Sequence, residues 1–148
     1  RLYGMMILGS ILGDGSDYRH PIAAIRAKQF LDNPALCNFF GKPRAFTPLK
    51  FADGTSLGQQ MSFYLPGDTT LLALFNFHKT ERFKQLVQLD QLGMKPGNYE
   101  IRDFLTNELI GNMTSKQKKL ELTIEAQDAS MLKLVPVSEH KQVKKEKN

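Results

Sequence analysis

The chain has no tryptophan and a single cysteine among its 148 residues. One cysteine excludes an internal disulfide framework and leaves the redox compartment open. That residue, Cys37, lies in Leu36-Cys37-Asn38-Phe39-Phe40, with no histidine or basic group flanking it to stabilise a thiolate, so it reads as a small buried apolar side chain. Histidine is almost as scarce: His20, His78 and His140 are scattered with no partner at ligand spacing, so neither a metal nor a cofactor is expected. Long apolar runs are missing too. The stretch 2–12 is apolar but short of the about 20 residues a membrane span needs, which argues against a membrane partner. Its length would suit a signal-peptide core, yet it runs straight into Gly13-Asp14-Gly15-Ser16-Asp17 with no small-x-small cleavage site. Gly13-Asp14-Gly15 also lacks the third glycine of a dinucleotide loop. The absence of an initiator methionine leads to the expectation of a piece of a longer protein.

What is present suits a folded domain. A hydrophobic share of 41% and a charged share of 24% are near globular averages. The net charge of +5 is spread thinly, because residues 138–148 hold Lys141, Lys144, Lys145 and Lys147 against Glu139 and Glu146 and so contribute +2 of it. No aromatic residue interleaves those lysines, so nucleic-acid binding is not expected, and 138–148 reads as a flexible basic tail.

Periodicity divides the rest. Residues 1–10 read as the end of a buried helix or the approach to a strand, and 10–12 as a short buried strand entering a polar turn. Pro21 stands where a first helical residue would, and Ile22, Ile25 and Phe30 follow at helical spacing, predicting an amphipathic helix over 21–31. Asp32-Asn33-Pro34 ends it, and a second helical stretch over 35–40 stops at Gly41 in a left-handed cap. From residue 45 the pattern changes. Eight short apolar or alternating runs, 46–51, 61–65, 69–77, 83–89, 99–104, 108–110, 120–126 and 131–135, are separated by turn residues and predict an all-β domain. Leu120, Leu122, Ile124 and Ala126 alternate with Glu121, Thr123 and Glu125, giving one buried and one wet face. The run 69–77 is nearly continuous in apolar residues, as a central strand covered on both sides would be. Asp53-Gly54, Pro66-Gly67-Asp68 and Lys95-Pro96-Gly97-Asn98 carry turn chemistry, so hairpins are expected between most neighbours. Two packed antiparallel sheets, or a barrel, bury such strands.

The densest polar cluster is Asp14, Asp17, Arg19 and His20, in a loop after an apolar segment. Loops over a rigid scaffold carry much of binding chemistry, but Asp and Ser beside Gly are also ordinary turn residues. Asn112-Met113-Thr114 matches the N-glycosylation pattern, which matters only in a secreted eukaryotic protein. Phe63, Tyr64, Phe75, Phe77 and Tyr99 could include a sugar-stacking platform; core packing is the expected role for most of them.

Two stretches carry a resemblance to a known family. Ser16-Asp17-Tyr18-Arg19-His20, followed by Ala27-Lys28, Leu31 and Asn33, looks like an Asp-Leu-Arg loop and its helix. Leu72-Ala73-Leu74-Phe75-Asn76, then Leu92-Gly93, then Tyr99-Glu100-Ile101-Arg102-Asp103-Phe104, looks like a Leu-Phe-Asn strand, a Gly-Leu-like turn and a Tyr-x-Val-Arg-Asp-Leu-Trp strand. In this order they resemble the C-terminal part of α-galactosidases (melibiases), glycoside hydrolase families 27 and 36. The chain departs from the pattern at Tyr18, usually Leu, and at Leu105, often Trp.

The resemblance implies that 1–41 is the end of a catalytic (β/α)8 barrel, a short strand-loop-helix remnant, and that 45–137 is a C-terminal antiparallel β-sandwich of about eight strands with Greek-key-like connections. It implies a parent enzyme that cleaves terminal α-galactosides with retention, through two carboxylates on earlier barrel strands, so that no catalytic pair lies in this chain. Asp14, Asp17 and Arg19 would line the substrate-binding mouth of the barrel, since barrel active sites sit at the C-terminal ends of the strands. The partners would be the rest of the barrel and the parent's carbohydrate substrate, with no cofactor, in an exported compartment. The alternative is a stand-alone carbohydrate-binding or adhesion sandwich, which calls for an exposed aromatic row on one sheet. The barrel reading calls instead for apolar surface left open within residues 1–40.

Overall fold

A computed structural model describes residues 2–10, 17, 19–49 and 59–137. The chain divides into two compact units, Arg1–Thr47 and Pro48–Asn148.

The first unit carries three helices among its described residues. Helix α1, Leu2–Ile7, buries Met6 completely. It stops in a paired turn: Gly9 N–H donates to the Met6 carbonyl at 3.0 Å and Ser10 N–H to the Met5 carbonyl at 3.1 Å. Gly9 takes φ +64°, and a β-carbon there would stand 2.9 Å from the Ala45 nitrogen, so both backbone conformation and close approach require glycine. Of the two readings of residues 1–10, the helix is the one found; the strand expected over 10–12 falls outside the described residues from Ile11 onward.

Helix α2, Pro21–Leu31, begins with the proline whose missing N–H costs nothing at a first turn. Helix α3, Pro34–Gly41, is capped by Asn33, whose Oδ1 accepts from the Ala35 and Leu36 amides at 3.0 and 3.2 Å. Two expectations are corrected here. Gly41 is not in the left-handed region; the helix runs through it and ends at Lys42, with φ −141°. Cys37 is exposed, because the buried face of α3 is taken by Leu36, and Cys37 stands about 100° further round the helix, its thiol donating to the Leu31 carbonyl at 3.0 Å.

The second unit holds the β-structure. The strands are β1 Thr47–Pro48, at the boundary, β2 Gln60–Leu65, β3 Thr70–Asn76, β4 Phe83–Gln88, β5 Tyr99–Asp103, β6 Leu109–Met113, β7 Lys119–Ile124 and β8 Asp128–Pro136. They form a six-stranded sheet in the order β1-β2-β3-β8-β5-β6 and a two-stranded sheet β4-β7. Two sheets, not a barrel, are therefore the arrangement found. Pairing is antiparallel from β2 to β6 and between β4 and β7.

Alternation builds the core. Leu72 and Leu74 of β3, Leu132 and Leu134 of β8 and Ile101 of β5 form one cluster with Phe83 and Val87 of β4 and Leu120 and Ile124 of β7. Each such side chain taken out of water contributes roughly 1.5–3 kcal/mol. Every residue of β3 is buried, because Leu71, Ala73 and Phe75 on its other face are also shielded. That is why its sequence is apolar without a break from Leu71 to Phe75.

Hairpins are fewer than the turn residues suggested. Pro66-Gly67-Asp68 joins β2 to β3, and β5 turns directly into β6, but the connections β3–β4, β4–β5, β6–β7 and β7–β8 all cross from one sheet to the other. Lys95-Pro96-Gly97-Asn98 lies on one of these crossings, after a 3-10 turn Leu89–Leu92 that Gly93 closes at φ +66°. A turn residue reverses the chain locally but does not specify which sheet the next strand joins.

Two buried polar contacts tie the sheets. The Ser62 hydroxyl in β2 donates to the Gln85 side-chain oxygen in β4. Asn76 at the end of β3, 1% exposed, donates from Nδ2 to the carbonyls of Glu81 at 2.7 Å, Glu125 at 3.0 Å and Ile124 at 3.3 Å, and its Oδ1 accepts from the His78 amide at 3.0 Å. The hydrogen bonds of a buried amide so completely paired offset the cost of taking it out of water.

Candidate functional site

The polar loop singled out in the sequence precedes α2. Its closing turn is set by the His20 amide donating to the Asp17 carbonyl at 3.0 Å, after which the His20 carbonyl accepts from Ala24 N–H as the helix starts. Asp14 and Tyr18 lie outside the described residues.

Asp17 and Arg19 are brought together as a two-pronged ion pair. Arg19 Nε donates to Asp17 Oδ1 at 2.9 Å and Nη2 to Oδ2 at 2.9 Å, while the Arg19 backbone N–H also reaches Oδ1 at 3.0 Å. This is the fork geometry in which a guanidinium recognises a carboxylate. The Arg19 side chain, then its backbone N–H, hold the Asp17 carboxyl below the ordinary 3.8, and the carboxylate raises Arg19 in turn. The shift favours the ionised form of Asp17, in which its oxygens only accept hydrogen bonds. Both side chains are well exposed, Arg19 at 91% and Asp17 at 57%, so solvent screens the pair.

The aromatic residues answer the stacking question. Phe75 is buried, meeting Phe63 edge-on at 6.0 Å and Phe77 in a stack at 5.9 Å. Tyr64 and Tyr99 pack on the inter-sheet core, and the Tyr99 hydroxyl donates to the Lys95 carbonyl at 2.7 Å. Of these five rings Phe77 is exposed and the other four are buried or half-buried, so they do not make the open row that a stand-alone sugar-binding sandwich calls for. Among the described residues no three His, Cys, Asp or Glu side chains are grouped to hold a metal ion, and no helix is long and apolar enough to cross a membrane.

The first unit leaves apolar side chains in water. Helix α2 buries Ala27 but leaves Ile22 56% and Ile25 62% exposed, and Leu8 is 72% exposed. A helix that hides its alanine and shows its isoleucines has its larger apolar face turned outward. Sequence reasoning missed one feature altogether: a cavity in the second unit, formed by the 3-10 turn and the β6–β7 turn. Its residues come from two segments with no shared motif.

No protein-family profile matches the chain, and no curated protein matches it by sequence. Solved structures do match. The chain is similar to a β-L-arabinopyranosidase of glycoside hydrolase family 27 from Geobacillus stearothermophilus, with a TM-score of 0.69 and 16% identity over 93% of this chain and 29% of that one. It is similar to α-galactosidase I from Mortierella vinacea, with a TM-score of 0.65 and 17% identity over 89% and 33%. It is also similar to an isomalto-dextranase from Arthrobacter globiformis T6, with a TM-score of 0.63 and 17% identity over 94% and 23%. The chain spans a third or less of the length of each of these. At such identities the likeness is one of fold.

Proposed function

We propose that this chain is the C-terminal part of an α-galactosidase-like glycoside hydrolase, in which the sandwich packs on and stabilises a catalytic (β/α)8 barrel whose last elements are residues 1–41. The observation that carries the reading is the outward apolar face of α2. Ile22 and Ile25 in water are what a barrel helix shows when its neighbours are elsewhere in the protein. The fold likeness to a family 27 enzyme and an α-galactosidase supports the same assignment.

In this reading the catalytic carboxylates come from earlier barrel strands, and the enzyme works through a covalent glycosyl intermediate. Asp17 and Arg19, with Asp14, sit at the barrel mouth. An ionised Asp17 locked by Arg19 accepts hydrogen bonds from substrate hydroxyls without exchanging protons. Terminal α-galactosides are the proposed substrates.

The test is hydrolysis of a chromogenic α-galactoside by this chain and by a chain extended upstream through a complete barrel. Activity in the extended chain alone is the expected result. Turnover by the 148 residues themselves would overturn the assignment.

A further inference from the structure

The cavity of the second unit has a volume of about 340 Å³, within the range of small-ligand pockets. Its walls are tied by backbone contacts. Leu89 N–H donates to the Lys118 carbonyl at 3.1 Å, joining the 3-10 turn to the β6–β7 turn, and Met94 N–H returns to the Leu89 carbonyl at 3.2 Å. The Ser115 amide donates to Asn98 Oδ1 at 2.9 Å and fixes the far side of the β6–β7 turn. The site is therefore held in shape by the fold and not assembled from free loops.

The lining combines two kinds of surface. Leu89, Met94 and Pro96 supply apolar contact, and Asp90, Gln117 and Lys118 supply polar groups. Asp90 Oδ1 is occupied by the Gln91 amide at 2.8 Å, and Gln117 Oε1 by the Thr114 amide at 2.8 Å. Among the described residues this leaves Asp90 Oδ2 as an acceptor and Gln117 Nε2 and Lys118 Nζ as donors with no protein partner. One carboxylate and one ammonium make the lining neutral, so an anion would meet Asp90 and a cation would meet Lys118. A neutral ligand rich in hydroxyls satisfies both, since each hydroxyl donates and accepts.

We propose that this cavity is a saccharide-binding site, separate from the Asp17–Arg19 loop, which takes one sugar ring. Adjacent hydroxyls bridge Asp90 and the Gln117 and Lys118 donors, and the C–H face of the ring rests on Leu89, Met94 and Pro96. The choice of a sugar among neutral polyols rests on the glycoside hydrolase reading; the cavity and its chemistry do not.

The test is a titration of the isotope-labelled full chain with methyl α-galactoside and methyl α-glucoside, followed by amide chemical shifts. The expected result is saturable shifts confined to the amides of Asp90, Gln117, Lys118 and their neighbours, with a Kd on the order of 1 mM for at least one glycoside. Lys118→Ala and Asp90→Asn are each expected to weaken binding about tenfold or more while the β3 amides stay in place, which separates lost binding from lost fold. Absence of shifts at these amides, shifts only elsewhere, or affinity unchanged in both variants would overturn the proposal. Failure of the glycoside hydrolase reading would appear separately, as an inactive barrel-bearing chain.

Discussion

Asn76 Nδ2 donates to the Glu125 carbonyl at 3.0 Å, a side-chain bond that runs from the last residue of a central strand of one sheet to the residue that follows β7 of the other. Three carbonyls converge on this one amide group in a buried place. Removing it leaves acceptors without a donor, which costs about 1–3 kcal/mol for each group left unsatisfied. Asn76→Ala is expected to destabilise the chain by about 3 kcal/mol, read as a lowered midpoint in urea unfolding. Asn76→Asp is expected to be at least as harmful, because a carboxylate cannot donate to those carbonyls.

The Ser62–Gln85 contact makes a different prediction. Here one hydroxyl meets one amide oxygen between the sheets. Ser62→Ala alone strands a buried acceptor and is expected to cost about 1–3 kcal/mol. Ser62→Ala combined with Gln85→Leu removes both partners and is expected to recover part of that loss. A double-mutant cycle in denaturant that gave purely additive costs would refute the coupling.

The Asp17 and Arg19 pair sets a pH dependence. Because the Asp17 carboxyl is held below 3.8 in the folded chain, the pairing contributes fully above that value and is lost as pH falls through the lower folded value. The expected observation is an Asp17 carboxyl resonance that titrates below 3.8, and that moves up toward 3.8 in Arg19→Gln. Global unfolding is expected to respond little, since both groups are open to solvent.

Ile25 distinguishes the chain from the enzyme proposed to contain it. In the 148 residues Ile25→Glu replaces a solvated apolar side chain and is expected to change stability by no more than about 0.5 kcal/mol. In a barrel-bearing chain the same substitution would bury a charge against neighbouring barrel elements and lower the melting temperature sharply. Equal tolerance in both contexts, measured by thermal unfolding, would count against a covered α2.

Particular residues show what the sequence made legible. The nearly continuous apolar run 69–77 identified β3 as a central strand, and burial on both faces explains why it had no polar alternation to display. Pro21 marked the start of α2 because its chemistry is local, whereas Asn33, read only as part of that helix's end, proved to cap α3. The pairing of Asp17 with Arg19 was near in sequence and so visible as a cluster, though not its two-pronged form. What escaped was non-local. The crossing from β4 to β5 depends on β5 pairing with β8 and β6, and the cavity depends on the backbone bond from Leu89 to Lys118 between two distant turns. The exposure of Cys37 escaped for a related reason, since neighbouring residues on a helix face different directions.

The register of β3 against β8, with Thr70 opposite Leu134 and Asn76 opposite Asp128, has a consequence for biosynthesis. During translation the hairpin of β2 and β3 emerges early, but one long edge of β3 waits unpaired until the chain beyond residue 128 has cleared the ribosome. Through that interval a strand of almost unbroken apolar character is open to any other strand nearby. A nascent chain stalled before β8 therefore offers an adhesive edge, and its yield in a cell should depend on chaperone supply far more than that of a chain released whole.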